Sequence, residues 1–233
     1  MSVTVRFVVF IMLAALLTPA ARAQTEQQKD WCSGKNGATH DQQIVGCTEI
    51  LQLGKGTDKQ RSAAYYNRGG AYGNKGQTDR AIRDFDRAIK LNPNSALFFN
   101  SRGFAYYDQR QHDRAIRDYD QAIKLDPNYA KAFANRGAAY DDKGQFDRAI
   151  QDYDQAINLD SNSAMVFNNR GVAYENKGQT DRAIQDYEQA IKLDSTYALA
   201  FYNRGLAKNK RGDQAGGEAD MAAARMINPN IAK

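Results

Sequence analysis

Four pairs of acidic residues are the first candidates for chemistry: Asp84 and Asp86, Asp118 and Asp120, Asp152 and Asp154, Asp186 and Glu188. Two neighbouring carboxylates can share a metal ion or divide acid and base work between them. These stand two residues apart, and on a helix residues i and i+2 point in different directions. With Arg80, Arg114, Arg148 and Arg182 just ahead of them, they read instead as a salt-bridged outer surface. The two histidines, His40 and His112, are far apart and in no metal-ligand spacing, and His112 reads as a solvated turn residue. Cys32 and Cys47 are the only cysteines. Their spacing is not the Cys-x-x-Cys of redox-active pairs, so an oxidising compartment would make them a structural disulfide. The sequence has no phosphate-binding glycine loop, nucleophile elbow or zinc signature. No catalytic residue, metal or cofactor is therefore assigned.

What positions all of these residues is a repeat. The triplets Asn67-Arg68-Gly69, Ser101-Arg102-Gly103, Asn135-Arg136-Gly137, Asn169-Arg170-Gly171 and Asn203-Arg204-Gly205 recur every 34 residues. The units run 62–95, 96–129, 130–163, 164–197 and 198–231. Each has an aromatic at its fourth position (Tyr65, Phe99, Phe133, Phe167, Phe201) and Gly at its eighth, and four have Tyr at the eleventh. Tyr65, Gly69 and Tyr72 fall at i, i+4 and i+7, as do Ala81, Phe85 and Ala88, which places each set on one helix face. Gly76, Gly144, Gly178 and Gly212 suit the left-handed residue that ends a helix. Asn92-Pro93, Asp126-Pro127 and Asn228-Pro229 stop the second helix. Each unit is thus two antiparallel helices of roughly 12–14 residues. Its Gly at position eight can face the Ala at position twenty, so the backbones approach closely. A fixed period of this length marks a solenoid, whose units bury their apolar faces only against their neighbours.

The pattern resembles the tetratricopeptide repeat (TPR) family over residues 62–231. That resemblance implies an all-α, right-handed superhelical solenoid whose first helices line a concave groove at positions two, five, six, nine, twelve and thirteen of each unit. Carried over residue by residue, position six supplies Asn67, Asn135, Asn169 and Asn203, with Ser101 interrupting. Side-chain amides can both donate to and accept from the main chain of an extended peptide, or they can hold adjacent helices together. Position five supplies Tyr66, Asn100, Ala134, Asn168 and Tyr202. One end of the groove also carries Leu97, Phe104 and Tyr107, the middle Asp108, Asp141, Asp142 and Glu175, and the far end Met165, Val172, Leu199, Leu206 and Lys210. Apolar anchors suit a binding surface, and the acidic centre suits a basic or neutral segment. The Lys/Arg clamp with which some family members hold a carboxylate tail is missing, since Lys131 stands alone. The chain departs from the family at position seven, which is Arg throughout. This series is expected to pair with acids of the neighbouring unit, its stems buried. Ser161 and Ser195 replace the usual Pro, so less sharply defined turns are expected there. Lys208 and Met221 mark an atypical last unit, with 213–227 as the expected C-terminal cap.

The ends differ from the array. Arg6, the apolar run Phe7 to Leu17 and the Ala21-Arg22-Ala23 site make residues 1–23 a cleavable signal peptide. The run is too short to span a membrane, so no stable insertion is expected after cleavage. Mature protein from Gln24 onward is expected in the periplasm of a bacterium or outside the cell. Residues 24–61 form an N-terminal cap. Asp41 to Gly54 aligns with Asp113 to Asp126, with Ile44 over Ile116, Leu53 over Leu125 and Cys47 in the place of Tyr119. This is a degenerate half-repeat helix, onto which Cys32 staples the segment before it. The net charge of +5 falls to +3 once Arg6 and Arg22 leave, too mild and interspersed for a nucleic-acid footprint. The chain thus reads as a non-catalytic protein-interaction scaffold of the bacterial cell envelope that holds a partner peptide or protein in the groove. The alternative is a structural protein that self-associates through its repeat ends, where Met221 and Met226 would form an exposed patch.

Overall fold

The apolar and small residues at helical spacing close into twelve α-helices in a computed structural model that describes residues 19–231. Helices α1 (Pro19–Cys32) and α2 (His40–Gln52), joined through a 3-10 turn at Lys35–Gly37, precede the array. The five units then supply α3 (Asp58–Asn74) with α4 (Thr78–Leu91), α5 (Ala96–Asp108) with α6 (His112–Leu125), and α7 (Ala130–Asp142) with α8 (Phe146–Leu159). They continue through α9 (Ala164–Asn176) with α10 (Thr180–Leu193) and α11 (Ala198–Arg211) with α12 (Gln214–Ile227). Of the expected signal segment, residues 1–18 lie outside the described residues, and α1 begins at Pro19. Capping boxes at Thr39 with Gln42 and at Thr57 with Gln60 start α2 and α3, satisfying amides that have no partner within the helix.

Within a unit the two helices meet where the glycine of the first accepts the ring of the second. A Cβ on Gly103 would stand 2.8 Å from Tyr119 Cε1 and 3.2 Å from the Ala115 carbonyl oxygen. Tyr153 on Gly137, Tyr187 on Gly171 and Phe85 on Gly69 repeat the contact. In the first pair a disulfide takes its place. Cys47 occupies the ring's position and is bonded to Cys32, with the two Cα atoms 4.5 Å apart. The backbones are equally close there, since a Cβ on Gly46 would lie 2.6 Å from the Gln28 carbonyl oxygen. The cap is therefore a complete helix pair rather than one helix with a stapled segment.

The position-seven arginines join units. Arg136 donates from Nε and Nη2 to both carboxylate oxygens of Asp152 in its own unit, at 2.8 and 2.7 Å, and from Nη1 to Asp120 of the preceding unit at 2.6 Å. Arg102 and Arg170 do the same with Asp118 and Asp86, and with Asp186 and Asp154. At the array's start Thr48, aligned with Asp120, accepts from Arg68 Nη1 at 2.9 Å. Pairing thus reaches the unit's own acid as well as its neighbour's. Two expectations of an outer salt-bridged surface are corrected. The first acid of each pair (Asp84, Asp118, Asp152, Asp186) is only 3 to 6% exposed, because it lies on the same helix face as the flanking alanines and aromatic. Arg80, Arg114, Arg148 and Arg182 hydrogen-bond Gln side chains and lie over the rings of Tyr72, Tyr106, Tyr140 and Tyr174, making no ion pair with those acids. In the first four units the fourth-position aromatic and the eleventh-position Tyr flank the position-seven Arg, as Phe133 and Tyr140 flank Arg136 at 5.5 and 6.0 Å, whereas Arg204 lies over Phe201 alone. Such contacts between a cation and a ring face are attractive.

The turns are regular. Gly76, Gly144, Gly178 and Gly212 have positive φ at the end of the first helix, but the second unit has Arg110 there, at φ 59°. The turns beside Ser161 and Ser195 are as well formed as the Pro-containing one. Asp160 and Asp194 accept from backbone amides two residues on, as Asp126 does, and this side-chain bond sets the turn without a ring.

Candidate binding groove

Curvature follows from which helices touch. Each first helix touches the next (α1 with α3, α3 with α5, and so on to α9 with α11), whereas no second helix among the described residues reaches the next second helix. The first helices therefore form the inner row, and side chains pointing away from their partners line it. Five apolar side chains are exposed there: Leu97 and Phe104 on α5, Met165 on α9, and Leu199 and Leu206 on α11, with Phe104 50% exposed. Val172 is half-buried. Helix α7 breaks this series with Lys131 and Ala138, and two apolar patches result.

The amide ladder divides. Asn135 donates to Asn100 Oδ1 and Asn203 to Asn168 Oδ1, each at 3.0 Å. Asn100 and Asn168 are buried, and Asn168 is 1% exposed, so they serve the neighbouring first helix rather than the groove surface. Asn169 accepts from Asn168 at 3.4 Å, and Asn67 is half-buried. Tyr66 stacks on Phe98 with centroids 5.1 Å apart, and Tyr202 is half-buried. His112 is half-buried and meets Tyr107 edge to face at 5.4 Å, which corrects the solvated reading. At the far end Met226 is 86% exposed, but Met221 packs against Gly205 and contributes no exposed patch.

The acidic row runs across α5, α7 and α9 near their C-terminal ends. Asp108 and Asp142 are exposed, and Asp141 and Glu175 half-buried. Burial holds the Asp141 carboxyl above its ordinary range against a lowering hydrogen bond from Asn176, with the charge of Asp142 adding to the rise. Burial also raises Asp108. Burial and a hydrogen bond to Asp142 push the Tyr107 hydroxyl up to about 12. Two cations approach the row, Arg110 at 3.6 Å from Asp142 and Lys210 at 3.3 Å from Glu175 Oε2. Among the described residues no group of three or more His, Cys, Asp or Glu is placed to hold a metal ion.

Sequence reasoning missed what lies beneath this row. In the first four units the second-helix ring crosses the glycine of the first helix. Burial pushes the hydroxyls of Tyr119, Tyr153 and Tyr187 up, and the charges of Asp108, Asp141 and Glu175 respectively add to the rise. The signal that could have found it is the constant offset of twelve positions from the inner-face residue to the ring.

The chain is similar in structure to crystal structures of MamA, one with TM-score 0.63 and 26% identity, covering 70% of this chain and 96% of that one. MamA from Desulfovibrio magneticus RS-1 matches with TM-score 0.65 at 18% identity, over 74% and 97% of the two chains. YrrB, described as a TPR protein with an unusual peptide-binding site, matches with TM-score 0.61 at 19% identity, over 79% and 93%. No curated protein matches the chain in sequence. Models of the TPR repeat match residues 105–144, 139–178 and 176–212, and models of the tetratricopeptide repeat match 62–95 and 85–117. Matching models thus run without a break from the first unit into the last, over the helix pairs and glycine contacts just described, and the chain belongs to the tetratricopeptide repeat family.

Proposed function

We propose that the protein is a non-catalytic interaction scaffold that cradles an extended, basic or neutral segment of a partner protein along its inner face. The observation that carries this reading is the set of apolar side chains left exposed on first helices beside an acidic row. A solenoid with no ligand to cover such side chains gains nothing by exposing them, and anchors beside a polar row suit a partner. The peptide-binding site ascribed to the similarly folded YrrB supports the same use of the fold. The leader-like residues 1–23 and the Cys32–Cys47 disulfide support a place in the bacterial cell envelope, where the oxidised pair persists.

A pull-down from envelope extract tests this, with the Phe104→Ser/Leu206→Ser variant run in parallel. Both side chains are exposed, so the variant should fold normally. Capture by the wild type alone supports the groove; equal capture by both places the contact elsewhere. Met226 and the half-exposed Ile227 on α12 favour a second reading, end-to-end self-association. Light scattering that shows a monomer at high concentration would end it.

A further inference from the structure

Three groups in the centre of the inner face have hydrogen-bonding capacity that nothing in the fold uses. The Tyr119 hydroxyl is fully buried, on a residue 0% exposed, and has no partner. Its ring crosses Gly103 of α5 and lies in a core cluster against which Tyr107 packs, and the charge of Asp108 acts on its hydroxyl. Asp141 Oδ1 and Glu175 Oε1, in equivalent positions on α7 and α9, are also shielded and unpartnered. The other oxygen of Glu175 is held by Lys210, and burial raises Asp141. Four carboxylates face two cations here, and those cations bind only Asp142 and Glu175.

Unused acceptors in a partly dehydrated acidic row call for a donor-rich cation. An ammonium carries three donors and a guanidinium five, with no acceptor on either. Resting on the groove reading above, we infer that the row formed by Asp108, Asp141 and Glu175, with the Tyr119 hydroxyl, receives a lysine or arginine side chain of the bound segment. The occupant is a peptide rather than a free amine, because exposed apolar side chains stand on the helices at both ends of the row. Leu97 and Phe104 lie toward the N-terminal end, and Met165, Leu199 and Leu206 toward the C-terminal end. A free amine leaves both uncovered, whereas a chain with apolar residues on either side of its basic residue fills all three regions.

The test presents the purified, disulfide-bonded protein to a phage-displayed library of random peptides. Enriched peptides should share one Lys or Arg with apolar residues on both sides. For a selected peptide, Asp141→Asn/Glu175→Gln should weaken binding by about 10- to 100-fold, as expected for removing the partners of a desolvated charge. Replacing the peptide's basic residue by norleucine should cause a similar loss, and that arm holds even if the double variant fails to fold. Enrichment of peptides without a basic residue, weakened by Phe104→Ser but not by the acid variant, would overturn the inference and leave the groove reading intact. No enrichment at all would count against both. Spermidine binding as tightly as the peptide would make this a free-amine site and refute the peptide assignment.

Discussion

Replacing Gly137 by Val tests the contact on which every unit is built. A Cβ there would lie 2.9 Å from Tyr153 Cε1, 3.0 Å from Cδ1 and 3.2 Å from the Ala149 carbonyl oxygen. Carbon atoms rest at about 3.5–4.0 Å, so the ring or the helix must move by roughly half an ångström or more. The ring cannot retreat, because Tyr153 is buried in one cluster with Val166 and Ala173 of the next unit. Overpacking of this kind costs about 1–3 kcal/mol. A lone methyl would recover about 1 kcal/mol through helix propensity, which leaves Gly137→Ala near balance. Valine recovers less and adds two further methyls, so its net loss should be about 2–3 kcal/mol. For a chain of this size that lowers Tm by about 5–10 °C. Gly70 supplies the control, since nothing lies within 4 Å of its Cβ position. Gly70→Ala should therefore raise stability by about 1 kcal/mol. Thermal and urea unfolding followed by circular dichroism read both. Gly137→Val melting with the wild type, or Gly70→Ala proving as harmful, would refute the packing argument.

Other substitutions examine the charges, the turns and the cap. Arg136→Leu strands the buried Asp152 carboxylate and should cost about 3–5 kcal/mol in urea unfolding, most of it recovered by adding Asp152→Leu; a loss below about 1 kcal/mol would mean that the pair is not structural. Arg110→Gly removes a non-glycine residue from positive φ and should gain about 1 kcal/mol, giving up only the weak 3.6 Å approach to Asp142. Replacing Cys32 and Cys47 by Ser should cost roughly 3 kcal/mol, and hydrogen exchange should place the loss in α1 and α2, because repeats couple chiefly to their neighbours. Asp141 has a raised folded-state pKa, so its ionisation opposes folding as pH rises through that value. Asp141→Asn should then raise Tm at neutral pH by an amount worth about 1 kcal/mol or less, and the difference should vanish near about pH 3, where the carboxyl is protonated in both states; a gain that persists in acid would refute the assignment.

Much of the array is legible in the sequence because its unit is local. The 34-residue period, the hairpins, the glycine turns and the arginine pairing all come from short-range spacing. The alignment of residues 41–54 even anticipates Thr48 in the place of an acid, where it accepts from Arg68. Which acid of each pair is buried was also readable. Ala81, Asp84, Phe85 and Ala88 follow i, i+3, i+4 and i+7, so Asp84 shares the core face and Asp86 does not. Other features need distances between helices. The amides of Asn100 and Asn135 could bind a peptide or one another, and only the 3.0 Å hydrogen bond between them, from α7 to α5, decides it. The seat of Arg114 on Tyr106 joins two helices through space and leaves no linear pattern.

The same reasoning separates scaffold from site. A residue present in every unit places the same group at every step of the solenoid, so it can build the array but cannot distinguish one stretch of groove from another. The glycine contact and the arginine pairs are of this kind, and their side chains are spent between helices. Specific recognition has to come from positions where the units differ. Position twelve runs Gly73, Tyr107, Asp141, Glu175, Asn209, and its second-helix counterpart changes from Phe85 through Tyr119, Tyr153 and Tyr187 to Met221. The first inner residue has no side chain where the ring has no hydroxyl, and the carboxylates act by their charge on rings that end in one. Position nine likewise sets Phe104 and Leu206 apart from Ala138. The three central units therefore differ from the two end units in both helices, and among themselves at position twelve of the inner face. That is where a partner would meet a surface unlike the rest of the array.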